Sequence, residues 1–151
     1  MAGTTIHIDD LASIVGKELG PSRWLEVTQD QINGFADATG DHQWIHTDPE
    51  RAATGPFGST IAHGYLTLSL VIPLWAEMIE IDGTSMGVNY GLNKARFISP
   101  VPVNGKVRLH ATIAELKEIP NGIEALVDGT VELEGAAKPA CAVQAIFRYL
   151  K

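Results

Sequence analysis

The chain has 151 residues, 18 acidic against 11 basic, with a formal net charge of -7, and 45% of its residues are hydrophobic. That composition is globular rather than disordered, and the length predicts one domain over residues 1–151 with a core large enough to stand without staples. The acidic balance, with no basic stripe, excludes nucleic acid as an expected partner. Cys141 is the sole cysteine and sits between Ala140 and Ala142. This excludes an internal disulfide, points to a buried structural thiol and fits a reducing, cytoplasmic setting. No signal-peptide pattern precedes Asp9 and Asp10, and the most apolar stretch, Tyr65 to Ala76, is shorter than the ~20 residues a membrane span needs, so no membrane association is expected.

Leu11, Ile14, Val15 and Leu19 fall at helical spacing, which predicts a short helix over residues 9–19, broken by Gly20-Pro21. A short strand is expected at Trp24–Val27. Thr28-Gln29-Asp30-Gln31 is a capping-box pattern that opens a helix carrying Ile32 and Phe35, and Gly40 is placed to end it in the left-handed conformation. Asp41 then falls in a loop. Asp48-Pro49 has the chemistry of an N-cap followed by a first-turn proline. Gly55-Pro56-Phe57-Gly58 is a loop. From Gly64 to about Glu80 apolar residues occupy nearly every face, which predicts a helix buried on all sides.

The rest is strand-like. Residues 84–98 form one long run, or two broken near Gly91. Val107, Leu109, Ala111 and Ile113 alternate with Arg108, His110 and Thr112 in a strand over residues 106–116. Pro120-Asn121-Gly122 signals a hairpin, and residues 123–133 and 140–150 supply two more strands. Helices followed by a run of antiparallel strands define an α+β class, with the sheet curled around the apolar helix.

The chemistry concentrates at Asp41, His46 and Gly64. A carboxylate and an imidazole in one short segment can share a water molecule, the first accepting a proton, the second holding the oxygen or relaying the other proton. Gly64 opens the apolar helix, so its backbone N–H has no partner within that helix and can face a developing oxyanion. His63 is placed to orient the loop or touch substrate, and Trp44, Phe57 and Tyr65 to line an acyl pocket or simply the core. His42, His46 and His63 offer metal-ligand types, but Gly40 and Pro49 argue against one helix through residues 42–46, so the i, i+4 spacing loses its meaning. No metal is assigned. His7 and His110 are expected at the surface, and no serine has a nucleophile-elbow context.

The segment Phe35-Ala36-Asp37-Ala38-Thr39-Gly40-Asp41-His42-Gln43-Trp44-Ile45-His46, with Ala52-Ala53, Ile61-Ala62-His63-Gly64 and Arg96-Phe97 before Pro100-Val101, resembles the hydratase motif and later landmarks of the MaoC-like dehydratases, the (R)-specific enoyl-CoA hydratases of the hotdog fold. The resemblance runs from about Trp24 to Leu150. It implies a sheet wrapped around the apolar helix, a homodimer joining two sheets, and water addition across a trans-2-enoyl-CoA to give an (R)-3-hydroxyacyl-CoA. Asp41 and His46 would activate the water and Gly64 would bind the thioester oxygen, with no metal or redox cofactor. The family often has Asn-Pro where this chain has Gln43-Trp44, so the bulk of Trp44 bears on pocket shape. Lys94 and Arg96, with Lys106 and Lys138, are candidate contacts for coenzyme A phosphates. A hotdog acyl-CoA thioesterase and a non-catalytic thioester-binding partner subunit of a dehydratase are the alternatives. Both catalytic side chains speak against the second.

Overall fold

The computed structural model describes residues 3–151. A six-stranded antiparallel sheet dominates it. Its strands β2 (Glu18–Leu19), β6 (Lys106–Ile119), β7 (Gly122–Leu133), β8 (Cys141–Leu150) and β5 (Met86–Phe97) run side by side in that order, and β3 (Leu25–Glu26) pairs with β6 beyond β2. Strand β1 (Thr4–His7) pairs in parallel with β4 (Ile79–Asp82) in a separate ribbon.

Alternation decides which face of the large sheet is dry. Val107, Leu109, Ala111 and Ile113 of β6, Ala125, Val127 and Val131 of β7, and Cys141, Val143, Ala145 and Phe147 of β8 all point into one core. The charged residues between them point out. Past Ile113 the register of β6 shifts, and Leu116 rather than Glu115 packs against the core. This bulge carries the strand to Ile119, beyond the end its alternation predicts. The predicted hairpin follows, with Ile119 opposite Gly122 and Asn121 at φ 63°. The run at residues 84–98 is one strand, β5, with register irregularities beside Gly91 and between Leu92 and Lys94.

The apolar segment lies against the dry face in two pieces, α4 (Gly64–Ser69) and α5 (Val71–Met78). Pro73 has no N–H to offer the carbonyl of Ser69, which accounts for the break at Leu70. Leu66, Leu70, Val71, Leu74, Trp75 and Met78 are buried, and the Trp75 indole N–H donates to the Tyr149 hydroxyl of β8 at 2.7 Å. Burial pushes the Tyr149 phenol up to about 12, so it stays protonated. Two expectations fail here. The helix is not covered on every side, because Tyr65, Ser69, Pro73 and Glu77 form an exposed strip. It also ends at Met78, because Ile79–Asp82 is drawn into pairing with β1.

The helix expected over residues 9–19 is likewise replaced. A 3₁₀ helix covers Ile8–Ile14, capped by His7, whose ring nitrogen accepts from the Asp9 N–H. Gly16 then turns the chain at φ 79°, and Glu18–Leu19 joins the sheet. The next elements follow the capping chemistry. Helix α1 (Gln29–Thr39) starts at Thr28, whose hydroxyl accepts from the Gln31 N–H, and ends at Gly40 in the left-handed region, φ 83°. Helix α3 (Pro49–Ala53) is capped by Asp48. Between them lies a one-turn helix, α2 (Trp44–Thr47), where the sequence suggests only loop.

On the outer face Arg108 grips Glu132 through two N–H bonds at 2.6 and 3.2 Å, and His110 lies between Glu132 and Glu18 at 2.6 and 3.3 Å. The Arg108 guanidinium, then His110, hold the Glu132 carboxyl below its ordinary value of 4.5. A carboxyl lowered in the folded state stabilises it fully above its unfolded value, and that support is lost as pH falls through the folded one. Glu132→Gln is therefore expected to flatten the acid limb of the stability–pH curve below pH 4.5. At neutral pH, with Glu132 over a third exposed, the loss stays under about 1 kcal/mol. Denaturant melts from about pH 3 to about pH 7, which spans the carboxylate range, check both.

No helix among the described residues is long and apolar enough to cross a membrane. Cys141 is buried at the start of β8, and its desolvation pushes the thiol up, as a structural cysteine requires.

Candidate active site

Four local features converge at the mouth of the helix-covered face. Gly40 ends α1 and releases Asp41 into the solvent, where its Oδ1 accepts the Gln43 N–H at 3.3 Å. Helix α2 then turns His46 inward, to 6% exposure. Its Nδ1 lies 2.7 Å from the Ile61 carbonyl oxygen. A carbonyl only accepts, so this nitrogen carries the proton and Nε2 is left as an acceptor. Gln29 of α1 fixes the same turn from behind, its amide N–H donating to the His46 carbonyl at 2.8 Å while its oxygen accepts the Thr60 hydroxyl.

His63 is the N-cap residue of α4 and Gly64 its first residue, so the Gly64 N–H has no carbonyl within the helix to meet. His63 is buried at 3% exposure; its Nε2–H donates to the Asp41 carbonyl at 2.9 Å and its ring stacks on His46 at 3.9 Å. The Phe97 ring lies flat against Gly64, where an added Cβ would come within 3.1 Å of it. Glycine at this position therefore keeps backbone and aromatic wall in direct contact.

These residues line a cavity of about 330 Å³, bounded by Asp41, His46, His63, Gly64, Tyr65 and Phe97, with Phe35 and Thr39 contributed by α1. A second cavity of about 270 Å³ also reaches His46, Gly64 and Phe97 and is walled by Phe57, Ile61, Ile98, Pro100 and Val101. The arrangement thus joins an exposed carboxylate, an imidazole acceptor and a free backbone donor to an apolar recess, as a small-molecule site requires.

Asp41, His46 and His63 also bring ligand-type atoms within 4.8 Å of one another. Imidazole lone pairs lie in the ring planes, and these two rings are stacked only 23° from parallel. Their lone pairs run side by side instead of converging on an ion about 2.0–2.1 Å from each. The trio is built for hydrogen bonding.

Three of the predicted contacts lie elsewhere. Trp44 precedes His46 by two residues in α2, a rotation of about 200°, and its ring instead packs under Arg51 at 4.3 Å and against Gly55. Lys94 and Arg96 pair with Gln144 and Ala142, the outward-facing positions of β8. Strand alternation therefore aims them away from the cavity, and Lys94 lines an outer groove with Glu18, His110 and Asp128. Lys106 faces Glu26 at the β3 edge, and Lys138 lies in the β7–β8 loop, also outside the cavity. Tyr65 is at the mouth, 70% exposed and edge-on to Phe97. His42 is also outside, 3.7 Å from Asp37. Sequence reasoning missed Gln29, which carries no local signal, and treated Phe97 only as a landmark. Its place before Pro100 and its inward parity with Ala95 would have marked it as a wall residue.

The family model for the MaoC-like domain matches residues 10–134. The chain is 51% identical over 144 residues to 3-hydroxyacyl-thioester dehydratase Z of Mycobacterium tuberculosis, covering 95% of each chain. It is 46% identical to nodulation protein N of Rhizobium leguminosarum bv. viciae, over 89% of this chain and 86% of that one. Its fold matches R-hydratase PhaJ1 from Pseudomonas aeruginosa with a TM-score of 0.73 at 23% identity, over 91% of this chain and 82% of that one. The sheet and its apolar helix are accordingly a hotdog fold. The chain belongs to the MaoC-like dehydratases, a family of hydro-lyases.

Proposed function

We propose that this protein catalyses the reversible, (R)-specific hydration of trans-2-enoyl-CoA to (R)-3-hydroxyacyl-CoA. The observation that carries the reading is the bond from His46 Nδ1 to the Ile61 carbonyl. It makes Nε2 an acceptor beside a second acceptor, the Asp41 carboxylate, on one cavity wall. A water can donate one hydrogen to each, which turns an oxygen lone pair outward. As that oxygen bonds to C3 of the enoyl chain, Asp41 takes a water proton, the C2–C3 π pair becomes a C1–C2 double bond, and the carbonyl π pair moves onto the thioester oxygen. The Gly64 N–H stabilises the resulting enolate, and C2 then takes up the proton held by Asp41, which restores the carboxylate and the thioester carbonyl. One oriented donor of this kind contributes roughly 10²–10³ in rate. The (R) outcome rests on the likeness of the chain to its relatives and on a single water-bearing face.

Tyr65 and the open side of the Asp41 cavity suit the thioester arm, and the Phe57–Val101 recess suits the acyl tail. The test follows the loss of conjugated enoyl-thioester absorbance and the configuration of the alcohol formed. No loss with any enoyl chain, together with free thiol release from a saturated acyl-CoA, would replace this reading by the thioesterase.

We further propose a homodimer. Strand β5 is the outermost strand of the sheet, and Met86, Tyr90 and Leu92 along it are exposed. An open apolar edge is a template for another strand, and a second copy supplies one. Wild type is expected to sediment as a dimer and Leu92→Lys to move toward monomer. Monomeric wild type at all concentrations would remove the proposal.

A further inference from the structure

We infer that His63 is the positioning residue that locks Asp41, His46 and Gly64 into one geometry, a role that rests on the hydratase reading above. Two contacts of the side chain and one position of the backbone make the case. The ring nitrogen Nε2 donates to the Asp41 carbonyl at 2.9 Å, which ties down the loop behind the carboxylate. The ring face stacks on His46 at 3.9 Å, which fixes the plane in which Nε2 of His46 presents its lone pair. As the N-cap residue of α4, with no bond from its side chain to the helix, His63 joins the same clamp to the N–H of Gly64 through its own backbone. Phe35 of α1 packs beside the ring at 4.8 Å, tilted 51° from it.

The remaining nitrogen separates this role from packing. With the proton on Nε2, Nδ1 is a bare acceptor, and it is buried with no hydrogen-bond partner among the described residues. A buried polar atom left unpaired is a cost to the fold. A side chain kept only for stability would be an apolar ring, which fills the same space without the orphan. Imidazole is unusual in giving both a flat ring for the stack and an N–H at the far edge for the Asp41 carbonyl. Stability is lowered at this position, and the benefit falls on the catalytic geometry.

Two substitutions divide the contacts. His63→Phe keeps the ring, loses the donor and removes the orphaned acceptor. His63→Gln keeps an N–H near the place of Nε2 and loses the stack. His63→Phe is expected to lower kcat about 10- to 100-fold, the effect of a misplacement near 1 Å. KM should stay within roughly twofold, and Tm should equal or exceed that of wild type. His63→Gln is expected to recover part of kcat. Unchanged kcat in His63→Phe overturns the inference, as does a loss of kcat that follows a falling Tm. A measurement without substrate separates this from the function itself. Nitrogen-15 NMR of the imidazoles is expected to show the proton on Nε2 of His63 and on Nδ1 of His46. A proton on Nδ1 of His63 overturns the inference whether or not the protein turns over a thioester. Failure of wild type on every enoyl-CoA, with those tautomers in place, overturns the hydratase reading alone.

Discussion

Asp41→Asn is expected to reduce hydration of trans-2-enoyl-CoA by about 10²–10⁴-fold and to leave the thermal transition where it is. The two halves of that result have separate causes. Among the described residues, the Asp41 side chain accepts one hydrogen bond, from the Gln43 N–H to Oδ1. The amide oxygen of asparagine accepts it equally well, so the loop between α1 and α2 keeps its shape. The Asp41 carbonyl still receives the His63 N–H, because the main chain is untouched. The carboxylate is exposed, so its exchange for a neutral amide neither relieves nor creates a buried charge. What disappears is basicity. An amide oxygen cannot carry away the proton of a water adding to C3, and the amide N–H₂ presents a donor where the water needs an acceptor. Absorbance at the enoyl-thioester band and a thermal melt on the same sample decide it. Wild-type turnover by the variant would remove Asp41 from the chemistry.

The residues that could be read from sequence are those whose roles are local. Thr28, Gly40, Asp48 and Pro49 bracket helices because their own side chains or backbone angles do the capping, and the observed ends of α1 and α3 follow them. The outward Arg108, His110 and Thr112 were legible because a strand with one dry face must alternate. The failures share a cause of the opposite kind. Leu11, Ile14, Val15 and Leu19 have helical spacing, but Leu19 is claimed by pairing with Ala111, more than ninety residues away. Ile79 and Glu80 extend an apolar helix on paper and are claimed by Thr4 and Thr5. The site divides in the same way. Asp41 and Gly64 sit at the ends of α1 and α4 that local chemistry sets, His46 is carried inward by the unforeseen turn α2, and the three meet in one cavity. Trp44 is lost because α2 is helical for a single turn, too short to leave a periodic signal. Lys94 and Arg96 are lost because their facing depends on the register of β5 against β8. Gln29 reaches His46 and Thr60 across 17 and 31 residues, a relation only the folded chain contains.

His46 separates structure from chemistry more sharply, because its two nitrogens have different duties. Nδ1 donates to Ile61 and holds the turn, which leaves Nε2 as an acceptor for the proposed water. The amide nitrogen of asparagine falls near the place of Nδ1 and can keep the bond to Ile61, but it leaves nothing at Nε2. His46→Asn is therefore expected to lose about 10²–10⁴-fold in turnover with a fold close to wild type. His46→Ala removes both. It should show the same loss of rate together with destabilisation of about 1–3 kcal/mol, because the Ile61 carbonyl is left buried without its donor. The vacated stack beside His63 adds a cavity term of the kind that large-to-small substitutions carry. Steady-state assays and denaturant melts of the two variants therefore give four numbers, of which the two rates should agree and the two stabilities should not. Equal stabilities would mean that the Ile61 bond does not hold His46 in place. Wild-type turnover in His46→Asn would mean that no acceptor at Nε2 is needed, and the water would then have to be held by Asp41 alone.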